Sequence, residues 1–181
     1  KENSKLKKMI SAYSRAEYDA AEAHARELLK IFPDLVVCWK VLGSTLKKSG
    51  KLDQALEANE NAISLSPGDF ETHYNAGNTL RELKRPDRAL QEYSLAISLN
   101  PKYPEAHYNK GVTFEDLSRP IDAKISYLSA ICLEPNHVSA RLNLANIYCG
   151  NNDHYEAEAE YRKIIKIVPN HVIAYARLAD T

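Results

Sequence analysis

Residues 70–103 read FETHYNAGNTLRELKRPDRALQEYSLAISLNPKY, two amphipathic runs joined by a short break. This stretch decides the fold because its small residues and its proline recur along the chain at one fixed interval. Two series keep a step of 34 residues without slippage: the prolines Pro33, Pro67, Pro101, Pro135 and Pro169, and the alanines Ala21, Ala55, Ala89, Ala123 and Ala157. Such self-similarity is typical of a repeat protein, in which each unit packs only on its neighbours.

The most informative motif lies in residues 36–69. It reads Trp39-x-x-Leu42-Gly43-x-x-Leu46, followed by Ala55, Ala62 and Pro67. This pattern resembles the consensus of the tetratricopeptide repeat (TPR) family, and the resemblance extends over the rest of the chain. The chain resembles bacterial TPR arrays in particular, including those that precede transferase domains.

The resemblance implies an all-α fold, a right-handed α-solenoid (superhelix) of about five and a half 34-residue helix-turn-helix repeats. We expect residues 1–181 to form a single array. Its units are predicted at residues 2–35, 36–69, 70–103, 104–137 and 138–171, with a partial sixth repeat or a capping helix at 172–181.

Small residues predict where the helices cross, because two helices approach to about 8–10 Å only where the facing side chains are small. We expect Gly43 to meet Ala55, and Gly77 to meet Ala89. Large aliphatic residues in the second helices should then face the next unit and form a continuous core: Ile63, Leu65, Ile97, Leu99, Ile131, Leu133, Ile165 and Ile167.

Glycine, proline and capping residues predict the helix ends. Gly50 follows a first helix as a C-cap residue does. Pro86, Pro104 and Pro120 suit the first turns of their helices, where a missing N–H is harmless. Asp153 and Glu156 have the spacing of a capping box.

Composition and charge argue against several classes of partner. The net charge is zero, with 11 Lys or Arg against 6 Asp or Glu in residues 1–51. A nucleic-acid-binding array would carry a sustained basic stripe, so we expect no nucleic-acid partner. The longest apolar run, Leu35–Trp39, is too short to insert into a membrane. No leader pattern opens the sequence, so we expect no signal peptide.

The cysteines and histidines give no sign of a metal site or of catalysis. The three cysteines have no CxxC spacing, which favours free thiols in a reducing, cytoplasmic location. No phosphate loop, GxSxG, HExxH or EF-hand pattern is present, so we expect no enzyme activity, no cofactor and no metal. His73 and His107 stand at the phase of Trp39, which is a packing position in TPR proteins.

A row of asparagines is the strongest candidate for a binding site. Asn75, Asn109 and Asn143 share one phase on first helices, and Asn78 and Asn146 lie one turn later. The TPR resemblance implies that this side of the first helices lines the concave groove. An amide offers both a donor and an acceptor, so it can bond the backbone of an extended peptide. The predicted groove also carries Tyr74, Tyr108, Lys40, Lys47, Lys48, Arg81 and Arg177.

One specific use of that groove is excluded. Chaperone-binding TPR arrays hold a terminal carboxylate with residues from three successive units, and the last of these are basic. At those positions this chain has Lys40 and Ser44, then Asn75, then Glu105 and Asn109. The acidic Glu105 argues against such a carboxylate clamp.

We therefore predict a non-catalytic protein–protein interaction scaffold that binds an extended peptide or protein segment on its concave face. The alternative is the recognition arm of a larger O-glycosyltransferase- or sulfotransferase-like enzyme, with its catalytic domain outside this chain. A third expectation is self-association through the C-terminal end, where an uncovered helix would leave an apolar face.

Overall fold

The computed structural model describes residues 2–179, and within that range it contains only helices and turns. Lys1 and residues 180–181, the last two of the predicted sixth repeat, lie outside the described residues. The helices are α1 (Glu2–Ser14), α2 (Tyr18–Ile31), α3 (Val36–Lys48), α4 (Leu52–Leu65), α5 (Phe70–Glu82), α6 (Pro86–Leu99), α7 (Pro104–Asp116), α8 (Pro120–Leu133), α9 (Val138–Gly150), α10 (His154–Ile167) and α11 (Val172–Ala179).

The chain forms two compact units that divide after Pro101. In the first unit, which holds α1 to α6, each helix packs against the next, and α3 also touches α1 and α5. In the second unit, α7 to α11, each helix again packs against the next. The predicted all-α fold, an α-solenoid of helix-turn-helix repeats, is confirmed. The continuity of a single array and the hand of the superhelix stay predictions.

The turn inside each repeat contains one residue with a left-handed backbone. These residues are Ala16, Gly50, Lys84, Ser118 and Asn152, with φ from 56° to 73°. The role of Gly50 is confirmed, since its N–H donates to the Lys47 carbonyl at 3.0 Å. The other four carry a Cβ that this backbone region disfavours. The repeat imposes the conformation even where glycine is absent.

Ala16→Gly is expected to raise the free energy of unfolding by about 0.5–1 kcal/mol. Ala16 is exposed, so glycine relieves the left-handed strain and removes no packing. The reverse change at the equivalent turn position, Gly50→Ala, is expected to lower the free energy of unfolding by about 1 kcal/mol. Urea unfolding followed by circular dichroism measures both, and a shift of the same sign in the two variants would contradict the explanation.

The helix starts follow the sequence prediction at the prolines and depart from it at Asp153. Pro86, Pro104 and Pro120 each occupy the first turn, as predicted. The capping box at Asp153 is wrong, because its side chain accepts no hydrogen bond. Its ψ is 61°, whereas the working cap Asp69 has the extended ψ of 105° and accepts from the Glu71 N–H.

The core consists mainly of small residues and tyrosines. The alanine series at the 34-residue step is fully buried, and so are Tyr93, Tyr127 and Tyr161. A Cβ on Gly77 would lie 2.7 Å from Tyr93 Cε1, so the ring packs on the glycine. The three atoms nearest to such a Cβ all belong to Tyr93, so the ring is the nearest neighbour, and the predicted meeting of Gly77 with Ala89 stays a prediction.

Gly43 behaves differently because its repeat has no tyrosine at that position. A Cβ there would meet Asn59 Oδ1 at 2.4 Å and the Ala55 carbonyl oxygen at 3.4 Å. The predicted approach to Ala55 is thus present, but the Asn59 side chain lies closer. Asn59 is buried and donates through Nδ2 to Thr79 Oγ1 at 3.0 Å.

The prediction of a continuous core of large aliphatic residues was partly wrong. Leu65, Leu99 and Leu133 are exposed near the ends of their helices. The isoleucines of the predicted set are half-buried. The fully buried alanines and tyrosines supply much of the inner packing in their place, with small side chains where the helices cross closely.

Candidate binding surface on the first helices

A side chain near the start of a first helix closes each of three repeat junctions. Trp39 Nε1 donates to the Pro33 carbonyl at 2.7 Å, His73 Nε2 to the Pro67 carbonyl at 3.0 Å, and Arg141 Nε to the Pro135 carbonyl at 2.8 Å. The donor and the proline are always six residues apart. We call these contacts the proline clasps.

Two of the clasp residues also bind a glutamate on the second helix of their own repeat. His73 Nδ1 lies 2.7 Å from Glu92 Oε2. Arg141 Nη1 contacts Glu160 Oε2, and both side chains are almost buried. His73 therefore has a structural role, since it contacts both the proline before its own helix and a glutamate on the second helix. His137 and His171 have another role, since their Nδ1 atoms cap α9 and α11.

Three of the five predicted asparagines hold tyrosine hydroxyls. Tyr93 donates to Asn78 Oδ1 at 2.8 Å, and Tyr161 donates to Asn146 Oδ1 at 3.2 Å. Asn143 donates through Nδ2 to the Tyr127 hydroxyl at 3.0 Å, and that hydroxyl also contacts Glu115. Burial, with the Glu115 contact, raises the pKa of Tyr127 well above its usual range. Their amides therefore position the buried rings.

Asn75 and Asn109 are half-buried on α5 and α7. The Asn75 carbonyl accepts from Thr79 Oγ1, and the Asn109 carbonyl accepts from Thr113 Oγ1. Within residues 2–179, no hydrogen bond holds the side-chain amide of Asn75. Of the predicted row, Asn75 is thus the residue whose amide is best available to a ligand.

Lys40 and Lys47 are paired with acidic side chains at the two ends of α5. Lys40 Nζ lies 2.8 Å from Asp69 Oδ2 and also contacts Glu71. Burial works to lower the pKa of Lys40, but these hydrogen bonds outweigh it and raise the pKa above the ordinary value. Lys47 Nζ lies 3.3 Å from Glu82 Oε1. An acidic ligand would have to compete with these carboxylates.

The predicted aromatic and arginine residues fall into packed and exposed groups. Tyr74 packs on Tyr93 with ring centroids 6.1 Å apart, and Tyr108 packs on Tyr127 at 5.8 Å. Arg81 is half-buried in the last turn of α5. Arg177 is exposed on α11. In the first unit, α5 thus brings together Tyr74, Asn75, Asn78 and Arg81, with Lys40 and Lys47 of α3 reaching its two ends.

Sequence reasoning missed an apolar row on α8. Ile121, Ile125 and Leu128 are 76%, 59% and 43% exposed, and Cys132 next to them is also exposed. These residues lie three or four apart, so they share one helix face. The same phase on α6 reads Asp87, Gln91, Ser94 and Ser98. Comparing the repeats position by position could have revealed the row.

Other kinds of site find no support among the described residues. Residues 2–179 contain no group of three His, Cys, Asp or Glu side chains placed to hold a metal ion. Over the same range, no helix has both the length and the hydropathy needed to cross a membrane.

The fold and this surface together define a class of protein: an α-helical repeat scaffold that displays the faces of its first helices. Two family models confirm the class. One, described as TPR repeat, matches residues 77–118, and the other, described as tetratricopeptide repeat, matches residues 38–69 and 138–171. Together they cover more than half of the chain, which belongs to the tetratricopeptide repeat family.

Solved structures share this fold at low sequence identity. PilF from Pseudomonas aeruginosa is 20% identical over 99% of this chain and 83% of that chain, with a TM-score of 0.88. MamA from Desulfovibrio magneticus RS-1 is 16% identical, with coverages of 94% and 96% and a TM-score of 0.83. YrrB, a TPR protein with an unusual peptide-binding site, is 21% identical, with coverages of 93% and 87% and a TM-score of 0.74. No curated protein sequence matches the chain.

Proposed function

We propose that the chain is a non-catalytic protein–protein interaction scaffold that binds an extended peptide or protein segment on the concave face of its first helices. Membership of the TPR family supports binding of a protein or peptide partner. The observation that carries the finer proposal is that the side-chain amide of Asn75, on α5, has no hydrogen-bond partner among residues 2–179.

Asn75 is suited to hold a peptide backbone because its amide can donate to a carbonyl and accept from an N–H at once. The neighbouring Asn78 is occupied with Tyr93, so it contributes by fixing the surface beside Asn75. Asn143 and Asn146 have the same supporting part in the second unit. In the first unit, Tyr74 and Arg81 complete the proposed contact surface, with Lys40 and Lys47 at its edge. In the second unit, the proposed contact residues are Tyr108, Asn109 and Arg177.

Asn75→Ala is expected to weaken binding of an extended peptide by about tenfold, since one amide pair to a backbone is worth roughly 1–2 kcal/mol. Binding is measured against an immobilised library of unstructured peptides, with affinities of the best ligands then determined by calorimetry. The melting temperature should stay unchanged, because the Asn75 amide holds nothing inside the protein.

Asn61→Ala serves as the matched control. Asn61 lies on the second helix α4 and donates only to the Glu57 carbonyl of its own helix. It should leave peptide affinity unchanged. Equal affinities of Asn75→Ala and the unmodified chain would exclude the amide-based mechanism.

The other partner predictions stay proposals. Self-association through the C-terminal end is supported by Val172 and Ile173, which are exposed on α11, although Leu178 packs into the core there. Sedimentation velocity at two concentrations tests it. A cytoplasmic location is supported by three cysteines that form no disulfide bond, one of them exposed. The recognition arm of a transferase gains no support from the similar structures, and the full reading frame tests it.

A further inference from the structure

A groove of about 660 Å³ lies between α1 and α2 at the first repeat. Three cations line it, Lys7 and Lys8 from α1 and Arg15 from the turn that follows, together with His24 from α2. Glu17 is the one acidic residue among the described lining. The groove lies on α1 and α2 of the first unit and is distinct from the α3–α5 surface around Asn75.

In the next helix pair, α3 and α4, the face that corresponds to the groove is covered by another helix. Moving 34 residues along from Ser4, Lys8, Ser11 and His24, which line the groove, gives Cys38, Leu42, Thr45 and Ala58, in that order. All four of these later residues are buried. Cys38, Leu42 and Ala58 belong to one core cluster with Ala25 and Leu28 of α2. The helix that packs on this face of α3 and α4 is therefore α2, and we call the face the seat of α2.

Polar contacts fix α2 along the edge of that seat. Glu22 of α2 lies 2.8 Å from Lys51 Nζ, and Arg26 Nη2 donates to Gln54 Oε1 at 2.8 Å. The hydrogen bond from Lys51 holds the pKa of Glu22 below its ordinary value. One repeat earlier, Lys51 and Gln54 correspond to Glu17 and Ala20, which line the groove. The residues that line the groove therefore correspond, one repeat earlier, to the residues that contact α2 in the core and at the edge of its seat.

Charge distinguishes the groove from the seat it repeats. Where the seat has Val41, Leu42 and Ser49, the groove has Lys7, Lys8 and Arg15. These three cations are exposed, and none forms an ion pair with a side chain in the range 3–179. An occupant with the shape of α2 would gain by presenting acidic side chains to them, since charge complementarity selects partners at such surfaces.

We propose that the groove between α1 and α2 is a docking site for an acidic amphipathic helix of a partner protein. The helix lies against α1 as α2 lies against α3. Its small residues meet Ser4, Ser11 and Ala20, and its Asp or Glu side chains meet Lys7, Lys8 and Arg15. The site takes a folded helix, whereas the proposed concave face takes an extended segment, so the two proposals stand separately.

A synthetic helical peptide tests the site with the full chain. The probe has about 20 residues, long enough for substantial helicity, with Ala and Leu on one face and Glu on both flanks. Amide NMR shifts of the labelled chain are expected to change at Ser4, Lys8, Ser11 and His24 as the peptide is added. The same peptide with Gln in place of Glu should bind at least about tenfold more weakly.

Charge reversal in the groove provides the second measurement. The double variant Lys8→Glu with Arg15→Glu is expected to weaken peptide binding by at least about tenfold, a loss of two favourable charge contacts. Both residues are exposed, so circular dichroism should show an unchanged fold. Lys84→Glu, at an exposed lysine in the turn between α5 and α6, is the matched control and should bind as the unmodified chain does.

Several outcomes overturn the proposal. They are equal binding of the Glu and Gln peptides, no binding of either, shift changes centred on α5, or full affinity in the charge-reversed chain. Concentration-dependent dimerisation that the same double variant abolishes would mean that the groove holds a second copy instead. Asn75→Ala should leave this helix binding intact while weakening extended peptides, so failure at one site is distinguishable from failure at the other.

Discussion

Glu160→Ala is expected to lower the free energy of unfolding by about 3–5 kcal/mol, because it leaves a buried guanidinium without its counter-ion. The side chains of Arg141 and Glu160 are only 11% and 10% exposed. Arg141 keeps the Pro135 carbonyl as a partner, but a neutral acceptor does not offset the lost charge. Urea unfolding monitored by circular dichroism gives the difference.

Two further variants isolate the effect of burial. Glu158→Ala removes the carboxylate of the exposed pair with Arg162 on the same helix, and it should cost no more than about 0.5 kcal/mol. Replacing both partners, Arg141→Trp with Glu160→Ala, copies Trp39 and Ala58 of an earlier repeat. That pair should recover most of the loss. A Glu160→Ala cost no larger than that of Glu158→Ala would show that the pair contributes little.

Tyr93→Ala is expected to cost about 3–5 kcal/mol, the usual range for truncating a buried aromatic side chain. The ring is fully buried against Gly77, and its hydroxyl donates to Asn78. Gly77→Ala alone is expected to cost about 1–3 kcal/mol, since its Cβ would lie 2.7 Å from the ring. Chemical unfolding of the two single variants measures both losses.

The double variant tests whether the glycine is required by the ring. Without the Tyr93 ring, a methyl group on Gly77 meets no clash and gains helix propensity of about 1 kcal/mol. Gly77→Ala should therefore be neutral or stabilising in the Tyr93→Ala background. Gly68→Ala, where a Cβ has open space, is the control for the methyl group itself. Simple additivity of the two losses would refute the ring-on-glycine explanation.

The helices could be predicted from the sequence because their determinants are local and repeated. Proline at Pro86 and Pro120 and the fixed alanine phase locate the second helices to within a residue or two. The 34-residue period also predicted the TPR family and the helix-turn-helix fold, and both predictions were confirmed. The period did not predict the nearest neighbour of Gly77 at the crossing, which is the ring of Tyr93.

The candidate surface was harder to predict because its residues are committed to partners far away in sequence. Asn78 bonds a tyrosine 15 residues on, and Lys40 pairs with carboxylates 29 and 31 residues on. Periodicity places such side chains on a helix but does not say which of their atoms are already bonded. The phase alone therefore could not separate Asn75, whose amide is available, from Asn143, which holds Tyr127.

The proline clasps bear on how such a chain can change its length during evolution. Each clasp joins residues six apart, as Trp39 and Pro33 or His73 and Pro67 do, so a junction is completed by its own short stretch of chain. Gain or loss of a whole 34-residue segment would leave every other junction intact. Unequal recombination between neighbouring copies would then preserve the clasps while it changes the length of the array.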